Sequence, residues 1–115
     1  MQWTLAVWVG VGGFFGTVAR YGMSLWTPAW AVLIVNVLGS FGIGWVIGTN
    51  RLTSTEVTVL AVGALGGFTT YSAFSAETAA LLREGRWGAT ALYIFAMLTL
   101  GLAATFAGLF AAKWI

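Results

Sequence analysis

The chain has 115 residues, of which 60% are hydrophobic and only 7% are charged, and its formal net charge is +2. A soluble domain normally carries about 25% charged residues, and this length cannot hide so much apolar surface in one globular core, so the composition predicts a protein that lies in lipid. Cysteine and histidine are absent, which excludes disulfides, thiol chemistry, Cys/His metal sites and catalytic triads. The small net charge is not the basic footprint of a nucleic-acid-binding protein.

Four apolar segments in succession predict an all-α integral membrane protein with four transmembrane helices, because one spanning helix needs roughly 20 apolar residues. We expect the helices at about residues 3–25, 31–48, 56–82 and 87–112. Residues 1–115 then form a single four-helix transmembrane domain, with no room for a soluble domain beside it. The N-terminus lacks a basic leader and runs straight into the first segment, so we expect a retained helix and not a cleaved signal.

The connecting stretches carry turn signals. Pro28 lies between two tryptophans, which suits a membrane interface. The polar stretch 49–55 ends in a sequence that resembles a helix cap, and the charged stretch 83–86 predicts a turn between the third and fourth helices.

The third segment contains a stretch rich in glycine and threonine, residues 63–74, which predicts that its helix is broken in mid-span. Unpaired backbone groups in hydrocarbon cost several kcal/mol each, so a broken helix survives at membrane depth only when it is buried in protein or lines a water-filled path. Aromatic and hydroxyl side chains follow the expected break directly. This combination indicates a pathway for an ion or a small solute.

Small residues recur at four-residue spacing in every segment, which lets helix backbones approach closely in lipid. These rows serve either packing inside one bundle or a subunit interface, and we favour the interface because four helices enclose little space for a pore. The rows are Gly12/Gly16, Ser40/Gly44/Gly48, Gly63/Gly67 and Ala104/Gly108.

The distribution of basic residues predicts almost no orientation bias. With four spans, Arg51 and Lys113 lie on one side of the membrane, and Arg83 and Arg86, with Arg20 near the same end, lie on the other. Orientation follows the Lys/Arg bias, so such a chain could insert both ways up, and two opposed copies could form an antiparallel dual-topology dimer. The alternative is a single orientation set by another signal.

Three polar residues inside the segments each allow two interpretations. Asn36 either bonds to a neighbouring helix or donates its NH₂ group to an anion. Arg20 either reaches the interface with its long side chain or has a functional role within the membrane. Glu77 is the one carboxylate well inside a segment, and it either serves proton coupling or forms a hydrated ion pair with Arg83.

Aromatic and hydroxyl side chains follow the expected break. Tyr71, Phe74 and Thr78 share one helix face, and the positive ring edges of aromatic residues can attract an anion without trapping it. Ordinary aromatic packing is the alternative, and the nearby Ser72 favours a functional role. Tyr93 adds a hydroxyl to the last segment, where it belongs either to a polar track or to bonding within the helix. No Walker motif, dinucleotide fingerprint or nucleophile elbow is present, so we do not expect an enzyme.

Several stretches together resemble the CrcB-type fluoride channels, the Fluc family, over essentially the whole chain. They are GGFFGTVARY at 12–21, VNVLGSF at 35–41, GGFTTYSAFSAE at 66–77 and LREGR at 82–86. The resemblance implies a fluoride-selective channel that exports cytoplasmic fluoride passively and reduces its toxicity. It also implies a multi-pass protein of the inner (plasma) membrane, built as an antiparallel dimer with two fluoride pathways.

The resemblance also implies roles for particular residues. Carbonyls of Gly66 and Thr69 would hold a structural sodium ion (Na+) at the dimer axis. Asn36, the Tyr71 and Phe74 pair, and Tyr93 match the pathway residues of the family, and Ser72 and Thr78 lie beside them on the same segment.

Four positions depart from the family pattern: Tyr71 replaces Phe, Ala73 replaces Thr, Val32 replaces Thr and Met97 replaces Ser. Because hydroxyls are lost, a heterodimer with a paralogue stays open beside the homodimer. The rival class is a small multidrug-resistance-type proton-coupled exporter, whose mechanism needs a carboxylate in the first helix, and the first segment contains none. A purely structural membrane subunit would not need the break.

Overall fold

The computed structural model describes residues 3–115, and this part of the chain is helical throughout, apart from its turns. The third predicted segment is divided into several pieces, which include a π-helical segment. The helices are α1 (Trp3–Trp26), α2 (Ala31–Gly48), α3 (Ser54–Thr58), the π-helical segment (Val59–Leu65), α4 (Gly66–Phe68), α5 (Tyr71–Arg83) and α6 (Trp87–Ala111).

The observed boundaries agree closely with the hydropathy pattern. The second predicted segment matches α2 at both ends, and the fourth ends one residue earlier than expected. The predicted cap is present at α3, where the Thr53 hydroxyl accepts from the Glu56 backbone N–H at 3.2 Å and the Glu56 carboxylate accepts from the Thr53 N–H at 2.7 Å. Because this capping box satisfies backbone groups that lack helical partners, the helix begins at Ser54, earlier than hydropathy alone predicted.

The surface of the folded chain is apolar and its core is small. Val35, Phe74 and Met97 are buried, whereas large apolar side chains of α1 and α6 are mostly exposed. Three helical stretches within residues 3–115 are long and apolar enough to cross a membrane, namely Ala31–Gly48, Ser54–Arg83 and Trp87–Ala111. The first predicted segment forms the 24-residue helix α1 but is not among these three, so the count of four spans stays a prediction.

The glycine rows pack helices of the same chain against each other. A Cβ added to Gly63 would lie 2.6 Å from the Val9 carbonyl oxygen, and one added to Gly67 would lie 2.6 Å from the Gly13 carbonyl oxygen. These contacts join α1 to the π-helical segment and α4, and similar glycine contacts at Gly44 and Gly108 join α2 to α6. The prediction that these rows form a subunit interface is therefore wrong for these glycines, because each faces a neighbouring helix within the chain.

The chain bends between α4 and α5. Thr69 and Thr70 adopt extended backbone angles, with ψ of 160° at Thr69 and φ of −152° at Thr70. A new helix then begins at Tyr71, and the Thr70 hydroxyl caps it by accepting from the Ala73 N–H at 3.1 Å. This 69–70 bend lies within the stretch where the sequence predicted a break, and the position of the bend relative to a membrane stays a prediction.

Candidate functional site

Two grooves meet at the start of α5, directly after the 69–70 bend. The first, of about 360 Å³, lies between α2, α6 and the bend, and the second, of about 400 Å³, follows α5 towards its C-terminal half. Tyr71 and Phe74 line both grooves and connect them. None of the lining residues in the described part of the chain is charged, so the combined path is neutral, with polar groups set in a mostly apolar wall.

The side chain of Asn36 holds the bend against α2. Its Oδ1 accepts from the Thr70 backbone N–H at 2.8 Å, and its Nδ2 donates to the Thr70 carbonyl at 3.0 Å. The two bonds fix which way the amide points, because a flipped amide would face donor to donor. Asn36 therefore replaces the helical partners that Thr70 loses at the bend, which is the helix-bonding interpretation of this residue.

The second hydrogen of the Asn36 amide points to sulfur. Nδ2 lies 3.4 Å from Sδ of Met97, which is buried on α6. Both amide hydrogens and the amide oxygen thus have partners within the described chain. The sulfur bond is the weakest of the three, because a thioether is a weak acceptor.

Arg20 reaches the bend from α1. Its Nε donates to the Gly67 carbonyl at 3.0 Å, and the side chain is partly buried. This contact joins positions 47 residues apart in the sequence. The guanidinium thus supplies a donor to a carbonyl at the end of α4, whose helical bonding stops at the bend, so Arg20 has a structural partner inside the protein.

The carbonyls of Gly66 and Thr69 remain open. Their usual helical donors would be the N–H groups of Thr70 and Ala73, but Thr70 donates to Asn36 and Ala73 donates to the Thr70 hydroxyl. Within residues 3–115 neither the Gly66 carbonyl nor the Thr69 carbonyl accepts a hydrogen bond from any other backbone or side-chain donor in its place. Both residues line the first groove, so two uncommitted carbonyl oxygens are available beside it.

An aromatic cluster surrounds the junction of the grooves. Phe74 is 8% exposed, and its ring centroid lies 5.8 Å from that of Tyr71, in an edge-to-face arrangement with an interplanar angle of 79°. The ring centroid of Tyr93 lies 5.5 Å from that of Phe74, and the two ring planes are tilted by 57°. In an edge-to-face pair the positive edge of one ring meets the negative face of the other. The helical spacing had predicted that Tyr71, Phe74 and Thr78 share a face, and all three line the second groove.

The remaining predicted residues lie close to the grooves. The Tyr93 hydroxyl donates to the Glu77 carboxylate, and no ion pair between Glu77 and Arg83 is present in the described chain. The Thr78 hydroxyl donates to the Phe74 carbonyl at 2.8 Å. Ser72 lies 3.3 Å from the Thr70 hydroxyl, oxygen to oxygen, and like Tyr93 it lines neither groove.

Gly39 and Met97 are among the lining residues that were not singled out as site candidates from the sequence. Gly39 lets α2 approach the bend, because a Cβ there would overlap with the Thr69 methyl group. Met97 faces the Asn36 amide, although the sequence showed it only as a departure from a family pattern. Neither Gly39 nor Met97 carries a reactive group, so only their contacts in the folded chain show that they lie at this site.

The chain is similar to known proteins over most of its length. Residues 7–109 match the family described as "CrcB-like protein, Camphor Resistance (CrcB)". The chain is 41% identical to a protein of Chlorobium chlorochromatii named fluoride-specific ion channel FluC, with 93% of this chain and 91% of that protein covered. Proteins of the same name from Thermus thermophilus and Rhizobium meliloti are 43% and 45% identical, over 87% and 88% of this chain and 87% and 90% of theirs.

Proposed function

The chain belongs to the CrcB family, and we propose that it is a fluoride-selective channel, like its relatives that are named fluoride-specific ion channel FluC. The observation that carries this proposal is 41% identity over nearly the full length of both chains. The three long apolar helices make it a multi-pass membrane protein. Its proposed role is passive export of cytoplasmic fluoride, which reduces fluoride toxicity, and it is therefore a channel and not an enzyme.

The neutral path is suited to a small anion. Fluoride is strongly hydrated, so a selective path must replace its water with close donors, and conduction requires that no single site binds it too tightly. The donors along the two grooves are weak: the Asn36 amide, threonine and serine hydroxyls, and the ring edges of Tyr71 and Phe74. Because no lysine or arginine of residues 3–115 lines the grooves, no fixed positive charge traps an anion there, and selectivity for fluoride over chloride would depend on close donors that replace its water.

Fluoride efflux from liposomes tests this function directly. Vesicles that contain only this purified chain are loaded with potassium fluoride, and the release is followed with a fluoride electrode after a potassium ionophore is added. We expect rapid release of fluoride and negligible release of chloride from matched vesicles. Equal rates for the two anions would refute selectivity, and absence of fluoride release from the chain alone, with recovery on adding a paralogue, would favour the heterodimer.

We further propose that the channel is an antiparallel dual-topology homodimer of four-span subunits in the inner (plasma) membrane. Large apolar side chains remain exposed over α1 and α6, and the nearly balanced basic residues allow both orientations. The chain contains no cysteine, so a single cysteine placed at Thr4 or at Ile115 can be labelled in cells with a reagent that does not cross the membrane. Partial labelling at both sites supports dual topology, whereas complete or absent labelling of the whole population refutes it.

The open carbonyls fit a structural sodium ion. Gly66 and Thr69 of two opposed copies would supply four oxygen ligands, and carbonyl oxygens suit a hard cation. The ion would supply positive charge that joins the bends of the two subunits. We expect the detergent-solubilised protein to unfold at a higher temperature in sodium chloride than in N-methylglucamine chloride at equal ionic strength, because a ligand that binds only the folded state stabilises it. Identical unfolding curves would contradict the site.

A further inference from the structure

Met97 occupies an unusual position for an apolar side chain. It is 7% exposed, it lines the first groove, and its sulfur is 3.4 Å from the Asn36 amide nitrogen. The other amide hydrogen is committed to the Thr70 carbonyl at 3.0 Å, within a pair of bonds that also uses the amide oxygen. Of the two Asn36 amide hydrogens, the one that points to sulfur is therefore the more weakly bonded. It is the hydrogen that an anion in the groove could take over.

We propose that Met97 controls the access of the permeating anion to Asn36 by competing for this hydrogen. The inference rests on the proposed fluoride conduction and assigns to Met97 a role in tuning it. Fluoride binds at Asn36 by displacing the thioether from one N–H, while the paired bonds to Thr70 stay in place and hold the bend. Met97 thus raises the cost of fluoride entry at this point of the path.

The strengths of the hydrogen bonds indicate which acceptor of the Asn36 amide the anion displaces. A thioether sulfur is a weak acceptor, whereas a hydrogen bond to an anion is roughly twice as strong as a bond between neutral groups. The methionine side chain is unbranched and adaptable, so it can move away from the amide without disturbing α6. The Thr70 carbonyl cannot yield in this way, because it belongs to the backbone of the bend.

Substitutions separate competition for the hydrogen from simple obstruction. Met97→Leu keeps the approximate volume and the apolar character, a change that cores usually tolerate, but it removes the sulfur acceptor. Met97→Ala removes both the acceptor and the bulk. Met23→Leu makes the same chemical change on α1, away from both grooves, and serves as the matched control.

Fluoride efflux from liposomes gives the first readout. At fluoride concentrations below saturation we expect Met97→Leu to conduct between about two- and tenfold faster than the parent, the range that corresponds to removing one net hydrogen bond. The Met23→Leu control should match the parent. A Met97→Leu rate equal to or below that of the parent overturns the proposal, and it does so most clearly if Met97→Ala alone is faster, because bulk and not the acceptor would then limit entry.

Side-chain amide NMR gives a second readout that does not depend on conduction. The sequence has only two asparagines, Asn36 and Asn50, so ¹⁵N-asparagine labelling yields two NH₂ groups, and Asn50→Ser assigns them. We expect Met97→Leu to shift one of the two Asn36 hydrogens, and sodium fluoride to shift that same hydrogen in the parent, relative to sodium chloride. If neither treatment moves it, the proposal fails even where fluoride flux is normal. If the shifts occur without flux in any variant, the proposed channel function fails instead.

Discussion

Asn36→Ala removes the amide that holds the Thr70 peptide beside α2. Two hydrogen bonds are lost, at 2.8 and 3.0 Å. With a net contribution of about 0.5–1.5 kcal/mol each, their loss destabilises the bent conformation by about 1–3 kcal/mol. Since each 1.4 kcal/mol is a factor of about 10, the equilibrium ratio of bent to unbent conformations falls by at least about fivefold, and we expect a lower fluoride flux.

The assay compares efflux rates at equal protein-to-lipid ratios, together with denaturant unfolding in detergent. Asn50→Ala is the matched control, because Asn50 is an exposed residue in the connection between α2 and α3. Asn36→Asp keeps an oxygen acceptor for the Thr70 N–H but replaces the amide donors with a negative charge, so we expect it to lose more flux than the alanine variant. Normal fluoride flux in both Asn36 variants would refute this account of the bend and the pathway.

Three further predictions concern the structure around the bend. Gly16→Ala places a methyl group against the backbone of the π-helical segment and should destabilise the fold by about 1–3 kcal/mol. The methyl group added by Gly22→Ala lies in open space on the same helix, so this change should stabilise the fold by about 0.5–1 kcal/mol. Denaturant unfolding curves that coincide for the Gly16→Ala and Gly22→Ala variants would contradict the close packing at Gly16. Arg20→Gln should lower stability by about 1.5–3 kcal/mol, the usual worth of a hydrogen bond from a charged group, and an unchanged unfolding midpoint would show that its bond to Gly67 contributes nothing. Tyr71→Phe keeps the aromatic edge and should leave fluoride efflux within about twofold of the parent, because ring contacts are worth more here than the exposed hydroxyl. A tenfold loss of efflux would show instead that fluoride permeation depends on the Tyr71 hydroxyl.

Local patterns in the sequence determined much of the helical structure. The ends of α2 follow from hydropathy, and the capping box at Thr53 and Glu56 follows from residue types three positions apart. The shared face of Tyr71, Phe74 and Thr78 follows from the helical period. These features depend on interactions between residues a few positions apart, so a single sequence is enough to predict them.

Only the tertiary structure decided which distant groups meet. The sequence left Asn36 with two interpretations, and its pairing with Thr70 and Met97 joins positions 34 and 61 residues apart. It left the glycine rows open between a subunit interface and internal packing, and they pack α1 against the π-helical segment and α2 against α6. A row of small residues predicts that another backbone approaches closely, but it does not identify that backbone. An amide side chain within a helix predicts hydrogen-bond partners, but it does not identify their positions. Both are settled by helix packing, which depends on the whole chain at once.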